Sequence, residues 1–197
     1  MKVIGITGGV GAGKSSVLKY IEENVRCEII YADSLAATLQ KKGQVCYDKL
    51  ISLLGEEIIG TDGEIDRPKM AEIIFGDDKL LEAVNNIVHP AVEQFIRDRI
   101  EYLRNNDIVD FLFIEAALLI ECGYKEIVDE MWYIYASEDV RRKRLKQSRN
   151  YSDDKIDSIM ESQLSEEKFR AGSDVVIDNS KDMEDTILQI EDNLYER

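Results

Sequence analysis

The segment from Gly8 to Ser15 carries the clearest chemical signal in this chain, because it matches the pattern G-x-x-x-x-G-K-[ST] in full. In such a loop the glycines let consecutive backbone N–H groups point at one phosphate, and the lysine reaches the β- and γ-phosphates. The serine hydroxyl after the lysine ligates magnesium. The pattern therefore predicts a nucleotide-binding loop formed by Gly8, Gly9, Val10, Gly11, Ala12, Gly13, Lys14, Ser15 and the following Ser16.

The basic segment 141–149 is a second candidate, since six of its nine residues are Lys or Arg. Ser137 and the acidic residues after it predict the start of a helix, on which Arg141, Arg144 and Ser148 share one face. Most charge runs are only solvated helix faces. Phosphoryl transfer, however, needs cations near the γ-phosphate beyond those of the loop, so we interpret this helix as part of the same site.

Three acidic residues and the only histidine are weaker candidates. Asp33 follows a predicted strand at 29–31, where it either accepts a proton as a general base or caps the next helix, and both roles are compatible. Glu115 ends a predicted strand, where it faces magnesium, caps a helix or faces solvent, and Glu121 is a weaker candidate of the same type. His89 is more often structural than a ligand in such a position.

The elements that must position these residues alternate along the chain, which favours a parallel sheet covered by helices. A buried strand precedes the loop and an amphipathic helix follows it, which is the context that a phosphate-binding loop requires. The predicted strands are 3–6, 29–31, 108–114, 131–136 and 175–177. The predicted helices include 16–23, one capped by Asp33 or Ser34 that runs to about Lys42, and a last one at 182–194.

The interval 43–106 has no strong strand signal and predicts helices only. Gly55, the Asp62-Gly63 turn and Pro68 divide it, and His89-Pro90 predicts a break between two helices. Since a single crossover needs fewer residues, we interpret the interval as a helical insertion that builds a second wall of the cleft.

Composition limits the possible partners and compartments. A chain of 197 residues with a net charge of −15 repels nucleic acid, so DNA or RNA binding is not expected and any polyanion site must be locally basic. Cys27, Cys46 and Cys122 are scattered and predict reduced thiols in a cytosolic protein. We expect no signal peptide and no membrane span, because the longest apolar stretch, 111–120, is short and contains a glutamate.

Other classes of nucleotide-binding protein lack support in the sequence. The N-K-x-D and D-x-x-G motifs of GTPases and the L-S-G-G-Q signature of ABC-type ATPases are absent from the chain. A short chain with its phosphate loop at residue 8 and a late basic helix fits the nucleoside and nucleotide kinases best.

The motifs together resemble the dephospho-coenzyme A kinase family over residues 4–179. The opening is similar to that family's G-L-T-G-G-I-G-S-G-K-S. In the first half of the chain, Tyr31-Ala32-Asp33 matches D-A-D, Asp62 to Arg67 match D-G-x-[IL]-x-R, and His89-Pro90 matches H-P. In the second half, Leu118 to Glu121 match L-L-[FV]-E, and Arg144 matches the lid arginine. Gln163 and the segment from Asp174 to Asn179 together match Q…A-D-x-V-I-D-N. Ser148 stands where many members have a second lid arginine, and Arg149 follows it.

The resemblance implies an α/β, three-layer P-loop kinase fold with a five-stranded parallel sheet, a helical substrate-binding insertion and a helical lid. The core then comprises about 1–40, 105–138 and 170–197, the insertion about 41–104 and the lid about 139–169. The implied activity is ATP-dependent phosphorylation of the ribose 3′-hydroxyl of dephospho-CoA, the last step of coenzyme A biosynthesis. The implied protein is a cytoplasmic monomer that uses Mg²⁺.

The resemblance also assigns roles to residues. The catalytic residues that it implies are Asp33 as general base, Lys14 and Arg144. The implied ATP ligands are the loop residues 8–16, Arg144 and Asn179, with Asn179 near the adenine. The implied dephospho-CoA ligands are Asp33, Arg67 and His89. Ser15 is the implied metal ligand. Two alternatives stay open: another small-molecule kinase with a nucleotide or shikimate-like acceptor, and a regulatory protein that binds nucleotide without efficient turnover.

Overall fold

Residues 1–195, which the computed structural model describes, contain one five-stranded sheet in the order β2-β3-β1-β4-β5. The strands are β1 (Lys2–Thr7), β2 (Cys27–Tyr31), β3 (Phe111–Glu115), β4 (Glu130–Tyr135) and β5 (Val175–Asp178). Neighbouring strands pair in parallel, for example Ile4 with Phe113. The predicted α/β fold with a five-stranded parallel sheet is therefore confirmed.

Nine α-helices complete the described part of the chain. They are α1 (Lys14–Asn24), α2 (Ala32–Leu39), α3 (Tyr47–Leu54), α4 (Arg67–Ile74), α5 (Asp78–Asn106), α6 (Glu138–Arg149), α7 (Asp153–Glu161), α8 (Glu166–Ala171) and α9 (Met183–Tyr195). Short 3-10 turns occur at Glu56–Ile58 and Tyr124–Glu126. Within residues 1–195 no helix combines the length and the apolar character needed to cross a bilayer.

The chain forms two compact units, one of Met1–Ile30 with the residues from Asn106 onward, and one of Tyr31–Asn105. The extent of the predicted core, insertion and lid remains a prediction. The predicted core segment 170–197 also includes residues 196 and 197, which lie outside the described residues.

The first unit is organised around β1, the central strand, which is buried from Val3 to Thr7. A strand covered on both faces needs apolar residues on both, which explains why its sequence does not alternate. Ile4 and Ile6 belong to a cluster of buried side chains that includes Trp132 of β4 and Leu18 of α1. This packing fixes the end of β1, where the phosphate loop begins.

The second unit is helical, as predicted for the interval 43–106. Its one described strand-like contact is an antiparallel bridge between Ile59 and Ile65. The bridge spans the predicted turn, where the backbone N–H of Glu64 donates to Oδ1 of Asp62 at 3.1 Å. Asp66 then caps α4 by accepting from the backbone N–H of Lys69, and a proline stands in the first turn.

The prediction of a break at His89-Pro90 is wrong, because α5 runs through both residues for 29 residues. Proline removes one helical hydrogen bond and usually kinks or ends a helix. Here Val84, Val88 and Val92 lie one turn apart and are buried on both sides of Pro90. Burial of this continuous apolar stripe stabilises the helix enough to offset the lost bond.

Cys27 and Cys46 are thiols outside any disulfide. Burial raises the pKa of Cys27 to about 11, so that side chain stays a neutral thiol at ordinary pH.

Candidate active site

A cavity of about 470 Å³ in the first unit contains most of the predicted nucleotide-binding residues. Small-molecule sites typically span roughly 300–1,000 Å³. The residues that line it are Gly9, Val10, Gly11, Gly13, Lys14, Ser15, Ser16, Glu115, Arg144, Leu145, Ser148 and Arg149. Three of them are cationic, which gives this strongly acidic chain the locally basic site that a polyanion needs.

The phosphate loop joins β1 to α1, and its backbone requires glycine at positions that include 8 and 13. Gly8 and Gly13 have φ angles of 148° and 94°, which other residues rarely adopt. A Cβ atom would collide with the carbonyl oxygen of Ile134 at Gly8, and with the side-chain amide of Asn179 at Gly13. Gly13 is the N-cap of α1, so the positive end of that helix dipole faces the cavity.

Lys14 and Glu115 form an ion pair at the cavity wall. The Nζ atom of Lys14 donates to the carbonyl oxygen of Gly8 at 2.7 Å and lies 3.7 Å from Oε1 of Glu115. Both side chains are largely buried, and Glu115 is the last residue of β3. These contacts hold the ammonium group beside the loop, where it can reach a bound phosphate.

The basic helix α6 contributes Arg144, Ser148 and Arg149 to the cavity. Arg144 donates from Nη1 to the carbonyl oxygen of Ala12 at 3.1 Å and from Nη2 to that of Asn179 at 2.9 Å. Arg142, on the same helix, is instead paired with Glu138 and Asp157 and is absent from the cavity lining. Arg144 and Ser148, which the helical spacing places on one face, therefore both line the cavity, whereas Arg142 on another face is held by carboxylates.

Asn179 is buried and its side chain is used within the protein. Its Nδ2 atom donates to the carbonyl oxygen of Ala12 at 2.8 Å, and its Oδ1 atom accepts from the hydroxyl of Thr186 at 3.0 Å. The residue therefore joins β5, α9 and the phosphate loop. It does not line the cavity, and its contact with adenine remains a prediction.

Asp33 belongs to the second unit and lies in the first turn of α2. The prediction that Asp33 or Ser34 caps this helix is wrong, because the N-cap is Tyr31 and no side chain caps it. The helix begins directly after β2, so Asp33 falls inside it, and it ends at Leu39 rather than near Lys42. The Asp33 carboxylate is exposed and has no hydrogen bond or ion pair within residues 1–195.

Arg67 and His89, the residues predicted to hold the acceptor, both belong to the second unit but differ in their surroundings. Arg67 is the first residue of α4 and lines a cavity of about 250 Å³ with Gln40, Lys41 and Glu64. His89 is exposed on α5 and is absent from that lining. Glu121 is exposed in the turn after β3 and is absent from the lining of the larger cavity.

Sequence reasoning missed how the tip of the loop is held. Arg141 donates from Nε to the carbonyl oxygen of Val10 at 2.9 Å, and Gln163 accepts from the N–H of Val10 at 3.2 Å. Gln163 stood out only as part of a family motif, and Arg141 only by its place on the basic helix. No local pattern links residues so far apart in sequence.

Comparison with known proteins identifies relatives over nearly the whole chain. The sequence model of the family described as dephospho-CoA kinase matches residues 2–185. The dephospho-CoA kinase of Carboxydothermus hydrogenoformans is 36% identical to this chain, and the match covers 96% of this chain and 91% of the relative. That of Oceanobacillus iheyensis is also 36% identical, with coverage of 99% and 96%.

Solved structures share the fold. A crystal structure from Thermus thermophilus matches with a TM-score of 0.81 at 26% identity, covering 99% of this chain and 97% of the other. Dephospho-CoA kinase from Campylobacter jejuni matches with a TM-score of 0.72 at 20% identity, covering 97% and 96%. Shikimate kinase from Acinetobacter baumannii has a TM-score of 0.52 at 10% identity, covering 97% and 90%, which shows only a common architecture.

Proposed function

Because this chain belongs to the dephospho-CoA kinase family, we propose that it transfers the γ-phosphoryl group of ATP to the ribose 3′-hydroxyl of dephospho-CoA. The observation that carries this proposal is the cationic cavity built on the phosphate loop, in a chain that matches the family from residue 2 to residue 185. The cavity suits a polyphosphate, and the family supplies the acceptor.

The nucleotide end of the reaction is served by residues 8–16 and α6. Loop N–H groups and the N-terminus of α1 bind the β- and γ-phosphates, and Lys14 adds a positive charge there. Arg144 is a planar, bidentate donor, so it stabilises the negative charge that spreads over the transferring group. Asn179 holds this wall in place and, in the family's manner, lies near the adenine.

The acceptor end is served by Asp33, Arg67 and His89. The 3′-hydroxyl oxygen attacks the γ-phosphorus, an O–P bond forms, and the bond from the γ-phosphorus to the bridging oxygen of ADP breaks. Asp33 accepts the proton of the hydroxyl and orients that oxygen for attack. Arg67 and His89 hold the acceptor. The carboxylate of Asp33 is exposed and has no bonded partner within residues 1–195, which is consistent with its task as a base.

Magnesium is the cofactor that we propose. The hydroxyl of Ser15 and the carboxylate of Glu115 line the same cavity, and both supply the oxygen ligands that Mg²⁺ prefers. Residues 1–195 contain no cluster of three metal-ligating side chains, which fits an ion that keeps several waters and binds mainly through phosphates. When bound, Mg²⁺ neutralises phosphate charge, while Ser15 and Glu115 would hold it.

We also propose that the enzyme is a monomer in the cytoplasm and binds no nucleic acid. The thiols of Cys27 and Cys46, which lie outside any disulfide, support the compartment, and the charge of −15 supports the absence of nucleic-acid binding. Light scattering of the purified chain and a nucleic-acid binding assay test it directly.

The decisive experiment incubates the purified chain with ATP, Mg²⁺ and dephospho-CoA and measures ADP release together with the mass of the product. We expect ADP and CoA in equal amounts, with the added phosphate on the 3′ position by NMR. ADP without CoA, or no turnover at all, would contradict the proposal.

The alternatives are tested in the same assay. Shikimate and nucleoside monophosphates should give at most trace turnover, although shikimate kinases share the fold. Preferred turnover of one of these acceptors would indicate another small-molecule kinase. Nucleotide binding without ADP release from any acceptor would indicate a regulatory protein.

A further inference from the structure

The tip of the phosphate loop is closed by three hydrogen bonds between residues that are distant in sequence. Arg141 donates from Nε to the oxygen of Val10 at 2.9 Å and from Nη2 to Oε1 of Gln163 at 2.7 Å. The same Oε1 atom accepts from the backbone N–H of Val10 at 3.2 Å. The backbone N–H and the carbonyl oxygen of Val10 are therefore both bonded by side chains. We call Val10, Arg141 and Gln163 the loop clamp.

The clamp acts on a segment that is intrinsically flexible. Val10 lies between Gly9 and Gly11, and glycine loses more conformational freedom on ordering than any other residue. Arg141 also packs against the backbone of Gly9, since a Cβ atom there would lie 2.6 Å from its Cζ atom. The clamp thus restricts the glycine-rich tip before any phosphate arrives.

Arg141 differs from the other arginines of α6 in its position. Arg144 and Arg149 line the 470 Å³ cavity, whereas Arg141 is absent from its lining. Arg141 is half-buried, and burial lowers its pKa, but a guanidinium stays charged at any ordinary pH. It contacts the loop rather than the space that a ligand would fill.

Gln163 connects the clamp to the helices that follow α6. It lies between the end of α7 and the start of α8, and its backbone N–H donates to the oxygen of Met160 at 3.3 Å. The packing of Phe169 on Tyr133, with ring centroids 4.8 Å apart, ties α8 to β4. The segment that carries Gln163 is thereby anchored to the sheet.

We propose that Arg141 and Gln163 are positioning residues that set the nucleotide affinity of the phosphate loop through Val10, without touching the nucleotide. This inference rests on the proposed function in one respect, namely that the loop binds the phosphates of ATP. A loop already held in its binding conformation loses less entropy when the phosphate binds, so its affinity is higher. Opening the clamp should therefore weaken ATP and ADP binding more than it slows the chemical step.

The experiment measures ATP and ADP affinity by calorimetry, and kcat and KM for both substrates, in variants of the full chain. Arg141→Ala and Gln163→Leu should each weaken nucleotide binding about tenfold, with kcat and the KM for dephospho-CoA within about threefold of wild type. Gln163→Glu should stay close to wild type, because it keeps the oxygen acceptor that the clamp uses. Arg141→Lys should resemble Arg141→Ala, since an ammonium cannot replace the two directed bonds.

The double variant Arg141→Ala/Gln163→Leu provides the sharpest test. Both single changes open the same ring of bonds, so the double variant should lose about tenfold in affinity, not about a hundredfold. Arg142→Ala is the matched control on the same helix and should leave nucleotide affinity unchanged. Thermal unfolding of every variant verifies that it is folded. If Arg141→Ala fails to fold, the nucleotide affinities of Gln163→Glu and Gln163→Leu still test the proposal.

The outcomes separate this inference from the proposed function. If the wild-type chain binds ATP but does not form CoA, the proposed function fails while calorimetry still measures the clamp. If wild type is an active kinase and the clamp variants bind ATP equally well, or if their effects are additive, the positioning role is wrong. A wild-type chain that binds no ATP would overturn both.

Discussion

Arg144 and Asn179 are joined by a hydrogen bond of 2.9 Å from the arginine Nη2 atom to the backbone carbonyl oxygen of the asparagine. The side chains of both residues also donate to the backbone carbonyl oxygen of Ala12. One carbonyl of the phosphate loop thus accepts from a helix of the basic segment and from the end of β5. The contact links the proposed transition-state cation to a buried part of the sheet. Contacts between residues distant in sequence therefore fix the wall of the cavity. Substitutions at the buried end of this wall should lower the free energy of unfolding.

Thr186→Val tests the buried end of this arrangement. Thr186 is fully buried, and the loss of its hydroxyl leaves Oδ1 of Asn179 without its donor. An unsatisfied buried acceptor costs about 1–3 kcal/mol, so we expect the free energy of unfolding in urea to fall by about that amount. Thr38→Val is the control, because Thr38 is exposed on α2 and its hydroxyl donates to the carbonyl oxygen of Ser34. Equal effects at the two positions would contradict the role of the buried network.

Lys14→Ala tests the phosphate loop. The variant keeps the loop glycines but loses the charge that reaches the phosphates, together with the contacts of Lys14 with Gly8 and Glu115. We therefore expect kcat/KM for ATP to fall by about 10²-fold or more, and the Tm verifies that the variant is folded. Lys19→Ala is the matched control, because Lys19 lies on the same helix and its side chain is 73% exposed. Steady-state ADP release measures both variants. Near-wild-type turnover in Lys14→Ala would refute the assignment of the loop.

Much of this site was predictable from the sequence for a physical reason. The loop places its chemistry in consecutive residues, so spacing alone identifies Lys14 and Ser15. Helical periodicity also predicted that Arg144 and Ser148 share one face of their helix, and both line the cavity. The relation to the family followed from motifs in the right order, and the parallel sheet followed from the alternation of strands and helices. Both are confirmed.

The parts that sequence reasoning missed depend on tertiary contacts. The bonds of Val10 with Arg141 and Gln163 join positions more than 130 residues apart, and no local preference encodes them. The uninterrupted α5 at Pro90 is a case in which packing of a long apolar stripe overrides a local breaker. The predicted third strand began three residues too early, since Ile108 is 40% exposed and the strand starts at Phe111.

Asp33→Asn tests the proposed base. The amide keeps the size of the side chain but accepts no proton, so we expect kcat to fall by about 10²–10⁴-fold while ATP affinity changes little. Asp48→Asn is the control, because Asp48 is also an exposed carboxylate in the first turn of a helix, α3. This comparison removes the small effect of an acidic residue on the helix dipole. A kcat within about threefold of wild type would show that Asp33 is not the base.

Arg144→Ala tests stabilisation of the transferring group. Charge builds on the phosphoryl oxygens during the reaction, so contact with the guanidinium should strengthen at that stage, and kcat and kcat/KM should fall together by about 10²-fold or more. Arg144→Lys should recover little, because a point charge cannot make two parallel bonds to the oxygens. Arg142→Ala is the control, since Arg142 is paired with Glu138 and Asp157 and is absent from the cavity lining. If Arg142→Ala lowered kcat as much as Arg144→Ala does, the basic helix would act only as diffuse positive charge, and a specific role for Arg144 would be wrong.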